Sequence, residues 1–204
     1  MIEMITMGES AVTEKQTEET KKELYVWIAT LVCVVVATVL IFTFVARIIR
    51  VDGESMRETL HDQDILLVLA DPLCGEYRAG DIVVLSKATF EGGVPIIKRV
   101  VATEGQTVDI DFAAGIVYVD GEVLEEDYIR EPTWTPEGLE FPVTIPEDHV
   151  FVLGDNRNNS SDSRHIDLGP IDEQMMIGKA VLLVIPGKTA ELDAREWSRL
   201  GRIG

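Results

Sequence analysis

From Leu24 to Ala46 the chain reads LYVWIATLVCVVVATVLIFTFVA, 23 residues without a charge. As a helix this run is about 34 Å long, enough to cross a bilayer. A cleavable signal sequence has a shorter apolar region of about 7–15 residues that ends in small side chains. Here the run ends in Phe44-Val45-Ala46-Arg47. Core helices rarely stay apolar on every face. The span 24–46 is therefore expected to be a retained transmembrane anchor in contact with membrane lipid. Residues 1–23 are polar and Glu-rich. They carry too little apolar surface to offset their ordering entropy and are expected to form a floppy tail.

Beyond the span the pattern switches to short apolar or alternating runs broken by turns, which predicts strands. Candidates are Ile48–Val51, Ile65–Ala70, Asp81–Leu85, Pro95–Val101, Thr107–Ile110, Gly115–Val119, His149–Leu153 and Gly178–Ile185. Asp120-Gly121, between VYV and EVL, is a hairpin turn by composition, because both residues tolerate positive φ. At about 124–146 the chain turns acidic, and Pro132, Pro136, Pro142 and Pro146 interrupt it, as in a loop-rich insertion. Thr189 to Trp197 reads as one short helix with Thr189 as its N-cap. The expected fold is mainly β, with a single N-terminal transmembrane helix followed by an antiparallel β-rich domain over 47–204.

Charge narrows the partners. With 36 acidic against 18 basic residues the net charge is −18, which argues against nucleic acid and against adhesion to anionic lipid. Orientation in the membrane stays open, because Lys15, Lys21 and Lys22 precede the span while Arg47, Arg50 and Arg57 follow it. Cys33 lies inside the apolar span and Cys74 outside it, so an intramolecular disulfide is not expected.

Three segments set reactive side chains beside apolar strand sequence: GESMRETL (53–60), IIKRVVA (96–102) and GDNRNNSSDSR (154–164). Ser55 follows a strand-like approach and a glycine, where backbone N–H groups are free to meet an oxyanion. Period-two alternation puts Ile96, Lys98 and Val100 on one strand face and Ile97, Arg99 and Val101 on the other. A lysine among apolar groups has its charged form destabilised, so its free amine can take a proton from a serine hydroxyl. Arginine stays protonated and cannot. The third segment also looks weakly like a calcium loop, but two arginines interrupt it and the closing Glu of the twelve-residue pattern is absent. A Ser-His-Asp hydrolase using His61, His149 or His165 is an alternative without a supporting motif. The three scattered histidines offer no metal-ligand spacing, so neither a metal nor any other cofactor is expected.

The three segments, in this order after one N-terminal span, resemble the type I signal peptidases. The family's Ser-Met-x-Pro-Thr-Leu box is matched by Ser55 to Leu60, its Lys-Arg-Val box by Lys98 to Val100, and its Gly-Asp-Asn-Arg and Ser-x-Asp-Ser-Arg elements by Gly154–Arg157 and Ser160–Arg164. A smaller Gly-Asp-Ile-Val-Val element is matched by Gly80 to Val84. The resemblance implies a membrane-bound endopeptidase that removes signal peptides from secretory preproteins, cutting after small residues of the Ala-x-Ala type. It implies Ser55 as nucleophile, Lys98 as general base and Ser160 as the group that orients the lysine amine. Asp155, Asp162, Arg164 and Arg99 would be supporting ion-pairing residues, and the Ser55 N–H would meet the oxyanion. Some relatives add a serine hydroxyl two residues before the nucleophile, where this chain has Gly53. Val51, Met56, Leu60 and Ile97 are the expected substrate-pocket residues. Family topology implies a single-pass protein of the cell membrane with its catalytic domain on the extracytoplasmic side.

Two positions depart from the pattern: Glu58 stands for the usual proline of the nucleophile box, and Glu104-Gly105 for the usual Pro-Gly after the lysine box. Proline fixes φ, so its absence is expected to loosen the loop. The competing reading is a catalytically impaired membrane-anchored β-domain that binds other proteins.

Overall fold

The computed structural model describes the backbone of residues 2–189 and 194–203, and side chains over 20–188 and 194–203. It divides into two units, residues 1–44 and 45–204.

The first unit is one helix, α1 (Ile2–Phe44). Its stretch Thr20–Phe44 is long and apolar enough to cross a membrane, and none of its apolar window is buried. A helix that is apolar all round and unburied fits lipid rather than a soluble core. The helix also takes in the polar stretch expected to be a floppy tail. Met, Glu and Lys are frequent there and lose little rotamer freedom in a helix, and extending an existing helix avoids the cost of nucleation.

The second unit is antiparallel β. Its strands are β1 (Ala46–Arg50), β2 (Ile65–Ala70), β3 (Ile82–Leu85), β4 (Ile96–Thr103), β5 (Thr107–Asp111), β6 (Ile116–Val119) and β7 (Glu122–Val123). They continue with β8 (Val143–Thr144), β9 (His149–Leu153), β10 (Ile171–Asp172), β11 (Met176–Ile185), β12 (Lys188–Thr189), β13 (Ala194–Arg195) and β14 (Gly201–Arg202). The main sheet has the order β1-β2-β11-β3-β4-β9-β10, with β14 also paired to β11, and a second sheet runs β7-β6-β5-β8. All eight sequence-predicted strands are present within a residue or two. Asp120 and Gly121 turn between β6 and β7 with φ of 54° and 81°. The helix expected over 189–197 is not supported at its described ends: Lys188–Thr189 pairs with Ala194–Arg195 as a hairpin, and residues 190–193 lie outside the described residues.

Strand β4 is central, flanked by β3 and β9, and nearly every residue in it is buried. That accounts for its unbroken apolar lettering on both sides of Lys98-Arg99. One core cluster, including Val51, Met56, Leu60, Val84 and Ile97, packs under the loop that joins β1 to β2. Another, including Val101, Val108, Phe151 and Leu153, couples the two sheets.

Candidate active site

The loop from Val51 to Asp64 is closed at its neck by backbone hydrogen bonds, Val51 N–H to Asp64 O at 2.8 Å and Gln63 N–H to Val51 O at 2.9 Å. Within it a tight turn, with Arg57 N–H bonded to Glu54 O and Leu60 N–H to Met56 O, lifts Ser55 out. Met56 and Leu60 pin the turn from below, both fully buried. The Ser55 N–H donates to no group among the described residues, so it remains available to a developing oxyanion. Gly53, where a second donor would stand, spends its own N–H on Asp62 Oδ1 at 3.1 Å.

Lys98 comes to this loop from β4. Its Nζ donates to Ser55 Oγ at 2.7 Å and to Ile97 O at 3.1 Å, and the residue is 3% exposed. Burial pushes the amine below its ordinary pKa, and the negative charges of Asp162, Glu91 and Glu137 oppose the shift. An amine whose charged form burial disfavours, within hydrogen-bond reach of a serine hydroxyl, has the placement a general base needs.

Arg99 faces the other way, as the alternation requires. It makes a bidentate pair with Asp155 and donates to Gly80 O at 2.9 Å, which gives the Gly80–Val84 element its role as a backbone bracket. Its guanidinium lies 4.0 Å over the Tyr128 ring. Burial, then the charge of Glu126, raise the Tyr128 phenol to about 12.

Asp162 is the second hub. It accepts from Gly154 N–H at 2.9 Å, from Ser160 Oγ at 2.9 Å and from Arg164 Nε and Nη2 at 2.8 and 2.9 Å. Ser160 therefore donates to Asp162, and no hydrogen bond joins it to Lys98. An ionised carboxylate is the stronger acceptor. A Cβ on Gly154 would sit 2.2 Å from Ser160 Oγ and 2.6 Å from Ser55 O, so only glycine lets this wall close on the Ser55 backbone. The run's two aspartates, Asp155 and Asp162, are each paired with an arginine.

Sequence reasoning leaves three contributors without a role. Asn156 donates through its backbone N–H to Ser55 O and through Nδ2 to Glu54 O, both at 3.0 Å, and so fixes the backbone at Ser55. Thr59 joins the Arg99–Asp155 pair through its hydroxyl. Arg157, fully buried, binds Glu126, Thr133 and Gly154 O and ties the insertion to the site. Asn156 and Arg157 stand inside the Gly-Asp-Asn-Arg element, but a polar run gives no sign of which side chains turn inward.

A cleft of about 750 Å³ opens over the serine and lysine, lined by Val51, Ser55, Met56, Val84, Ile97, Lys98 and Ser160 among others. Three of the four expected pocket residues line it. Leu60 does not: it packs at 0% exposure in the core beneath, because residues of a turn that face inward serve packing. No histidine lines the cleft. His149 Nδ1 is bonded to Glu147 O, and the His165 ring packs edge-on against Phe90.

The β-domain holds a serine hydroxyl against a buried amine, in a chain whose N-terminal helix is apolar and long enough to cross a membrane. Residues 24–185 match the family model described as signal peptidase, peptidase S26. The chain is 33% identical over 182 residues to a signal peptidase I of Bacillus licheniformis, covering 85% of this chain and 95% of that one. It is 38% identical over 180 residues to a probable signal peptidase I-1 of Synechocystis sp., covering 84% and 83%. To signal peptidase I S of Bacillus subtilis it is 31% identical over 175 residues, covering 81% and 91%. The chain belongs to the signal peptidase family, peptidase S26, and is a serine peptidase that removes signal peptides.

Proposed function

We propose that Ser55 and Lys98 are the dyad that performs this cleavage. The observation that carries the reading is the 2.7 Å contact between Lys98 Nζ and Ser55 Oγ with the lysine 3% exposed. As Ser55 Oγ bonds to the scissile carbonyl carbon, its proton passes to Lys98 Nζ and the carbonyl electron pair moves to oxygen, where the Ser55 N–H meets it. Collapse breaks the C–N bond, and the Lys98 ammonium returns the proton to the leaving amine. Water then attacks the acyl-serine, giving a proton to Lys98; collapse breaks the C–Oγ bond, and the Lys98 ammonium returns that proton to Ser55 Oγ as the carboxyl product leaves. Asp155 with Arg99, and Asp162 with Arg164 and Ser160, hold the walls of the site and touch no reacting atom.

The substrates are secretory preproteins, cut after small residues. Val51, Met56 and Ile97 are buried apolar groups at the cleft floor, and a bulky side chain forced against them would cost about 1–3 kcal/mol. The helix anchors the enzyme as a single-pass protein of the cell membrane, with the catalytic domain on the extracytoplasmic side where translocated preproteins emerge. Purified enzyme in detergent should release mature protein from a preprotein, with mass mapping placing the cut after a small residue. Ser55→Ala and Lys98→Met should each bring cleavage to background while remaining folded, and their combination should be no worse than either alone. Robust cleavage by either folded single variant would remove the dyad.

A further inference from the structure

The loop that presents Ser55 is held by its neck, and what holds the neck comes from the far end of the chain. Asp64, fully buried, accepts from His61 N–H through Oδ2 at 2.8 Å, so it ties down the exit of the nucleophile loop. The same carboxylate accepts from Gly187 N–H through Oδ1 at 2.6 Å and from Arg199 Nη1 and Nη2 at 3.1 and 2.7 Å. Arg199 Nη2 also donates to Thr59 O at 3.1 Å, four residues from the nucleophile. A Cβ on Gly187 would fall 2.1 Å from Asp62 O, so the segment after β11 is pressed against the loop backbone at a second point. Arg199 itself sits in a short turn, Trp197–Arg199, just before β14, which pairs with β11.

We propose that Arg199 is a positioning residue of the active site, which, through Asp64 and the Thr59 carbonyl, sets the register of the loop that aims Ser55 at Lys98. The inference rests on Ser55 being the nucleophile. Arg199 lies beyond residues 24–185, which the family model matches. Arginine chemistry suits such a clamp, because a planar guanidinium can serve both carboxylate oxygens and a carbonyl at once, whereas an ammonium on a flexible stem cannot hold that geometry. The Thr59 hydroxyl is already fixed by Asp155. With its carbonyl fixed by Arg199, the residue is held from both sides and the turn between Ser55 and Leu60 has little room to shift. Misplacing a reacting group by about 1 Å can cost about a hundredfold in rate.

The test uses the full chain in detergent and a soluble peptide that spans a signal-peptide cleavage site. Arg199→Ala should lower kcat by roughly tenfold or more with KM near wild type, because the cleft is intact but the nucleophile is misaimed. Millimolar guanidinium should restore part of that kcat in Arg199→Ala and none in wild type, a response that loss of general stability does not give. Arg199→Lys should fall between the two. Wild-type kcat in folded Arg199→Ala, or a loss confined to KM, would overturn the proposal. Should Arg199→Ala fail to fold, wild-type kcat in folded Arg199→Lys would overturn it instead. Cleavage by a Ser55→Ala control would count against the nucleophile assignment and not against the clamp.

Discussion

Arg99 and Asp155 meet through two parallel hydrogen bonds, Nε to Oδ1 at 2.9 Å and Nη2 to Oδ2 at 2.8 Å, with both residues buried. Arg99 follows Lys98 on β4, so this pair anchors the back of the strand whose front carries Lys98. Burial works against the guanidinium charge, but the hydrogen bonds and charge of Asp155 outweigh it and hold Arg99 above its ordinary pKa. Removing one partner leaves an uncompensated buried charge, a loss of about 3–5 kcal/mol. Asp155→Leu and Arg99→Met should each lower stability by that order. Together they should cost clearly less than the sum. Denaturant unfolding followed by tryptophan fluorescence gives the three values, and strictly additive losses would show that the pair is not coupled.

Lys98 makes a pH prediction with two readouts. A solvated lysine has a pKa of about 10.4 and would be protonated at neutral pH, but burial lowers that of Lys98. Activity should rise with pH as the amine loses its proton, along a limb centred well below 10.4. Replacing His61, His149 and His165 together should leave the limb in place, and Lys98→Arg should be inactive because guanidinium does not give up its proton. Stability should follow the same direction. Between the lowered folded pKa and the unfolded value of about 10.4 the unfolded chain binds more protons, so stability rises with pH across that window and is smallest below it. Lys98→Met, which removes a desolvated amine, should therefore unfold at a higher temperature than wild type at pH 7. A pH limb lost in the triple histidine variant would transfer the base role to histidine.

The strands are legible in the sequence because burial on one or both faces leaves a period-two or continuous apolar trace, and β2 shows it plainly, alternating half-buried and buried from Ile65 to Ala70. Ser55 and Lys98 are legible only jointly, since neither a turn serine nor a strand lysine stands out by itself. Asp64 and Arg199 leave no trace. They are separated by most of the domain in sequence, and each alone looks like an ordinary surface charge. Leu60 is misplaced for a related reason: adjacency to Ser55 along the chain says nothing about which way a turn residue points. Family resemblance makes Ser160 a partner of the lysine, whereas in the structure its proton goes to the stronger acceptor two residues on.

The anchor makes a separable prediction. The apolar stretch Thr20–Phe44 belongs to the first unit, and Ser55 and Lys98 both lie in the second, which begins at Val45. Deleting residues 1–44 leaves β1 intact from Ala46. The truncated enzyme should hydrolyse a soluble peptide at near wild-type rate but process membrane-inserted preprotein in vesicles at least tenfold more slowly. The cause is the lost effective concentration of enzyme and substrate on one surface. Equal processing of inserted preprotein by both forms would take the anchor out of the mechanism.

Glu58 occupies the place of the usual family proline, and its backbone φ is +91°. Sequence alone suggests that losing the proline loosens the loop, but the observed conformation changes that reading. Proline is locked near −65° and cannot adopt a positive φ, so this turn has a shape that the proline would break. An L-residue held there stores roughly 1–3 kcal/mol of strain, which glycine largely avoids. The side chain is exposed, so little packing is lost on its removal. Glu58→Gly should therefore raise the unfolding temperature by a few degrees, corresponding to about 1 kcal/mol, and leave kcat on a peptide within about twofold. Glu58→Pro should do the opposite, lowering both the unfolding temperature and kcat, because the turn it distorts runs from Ser55 to Leu60. A Glu58→Pro enzyme more stable than wild type and fully active would show that the loop does not keep the positive φ in solution.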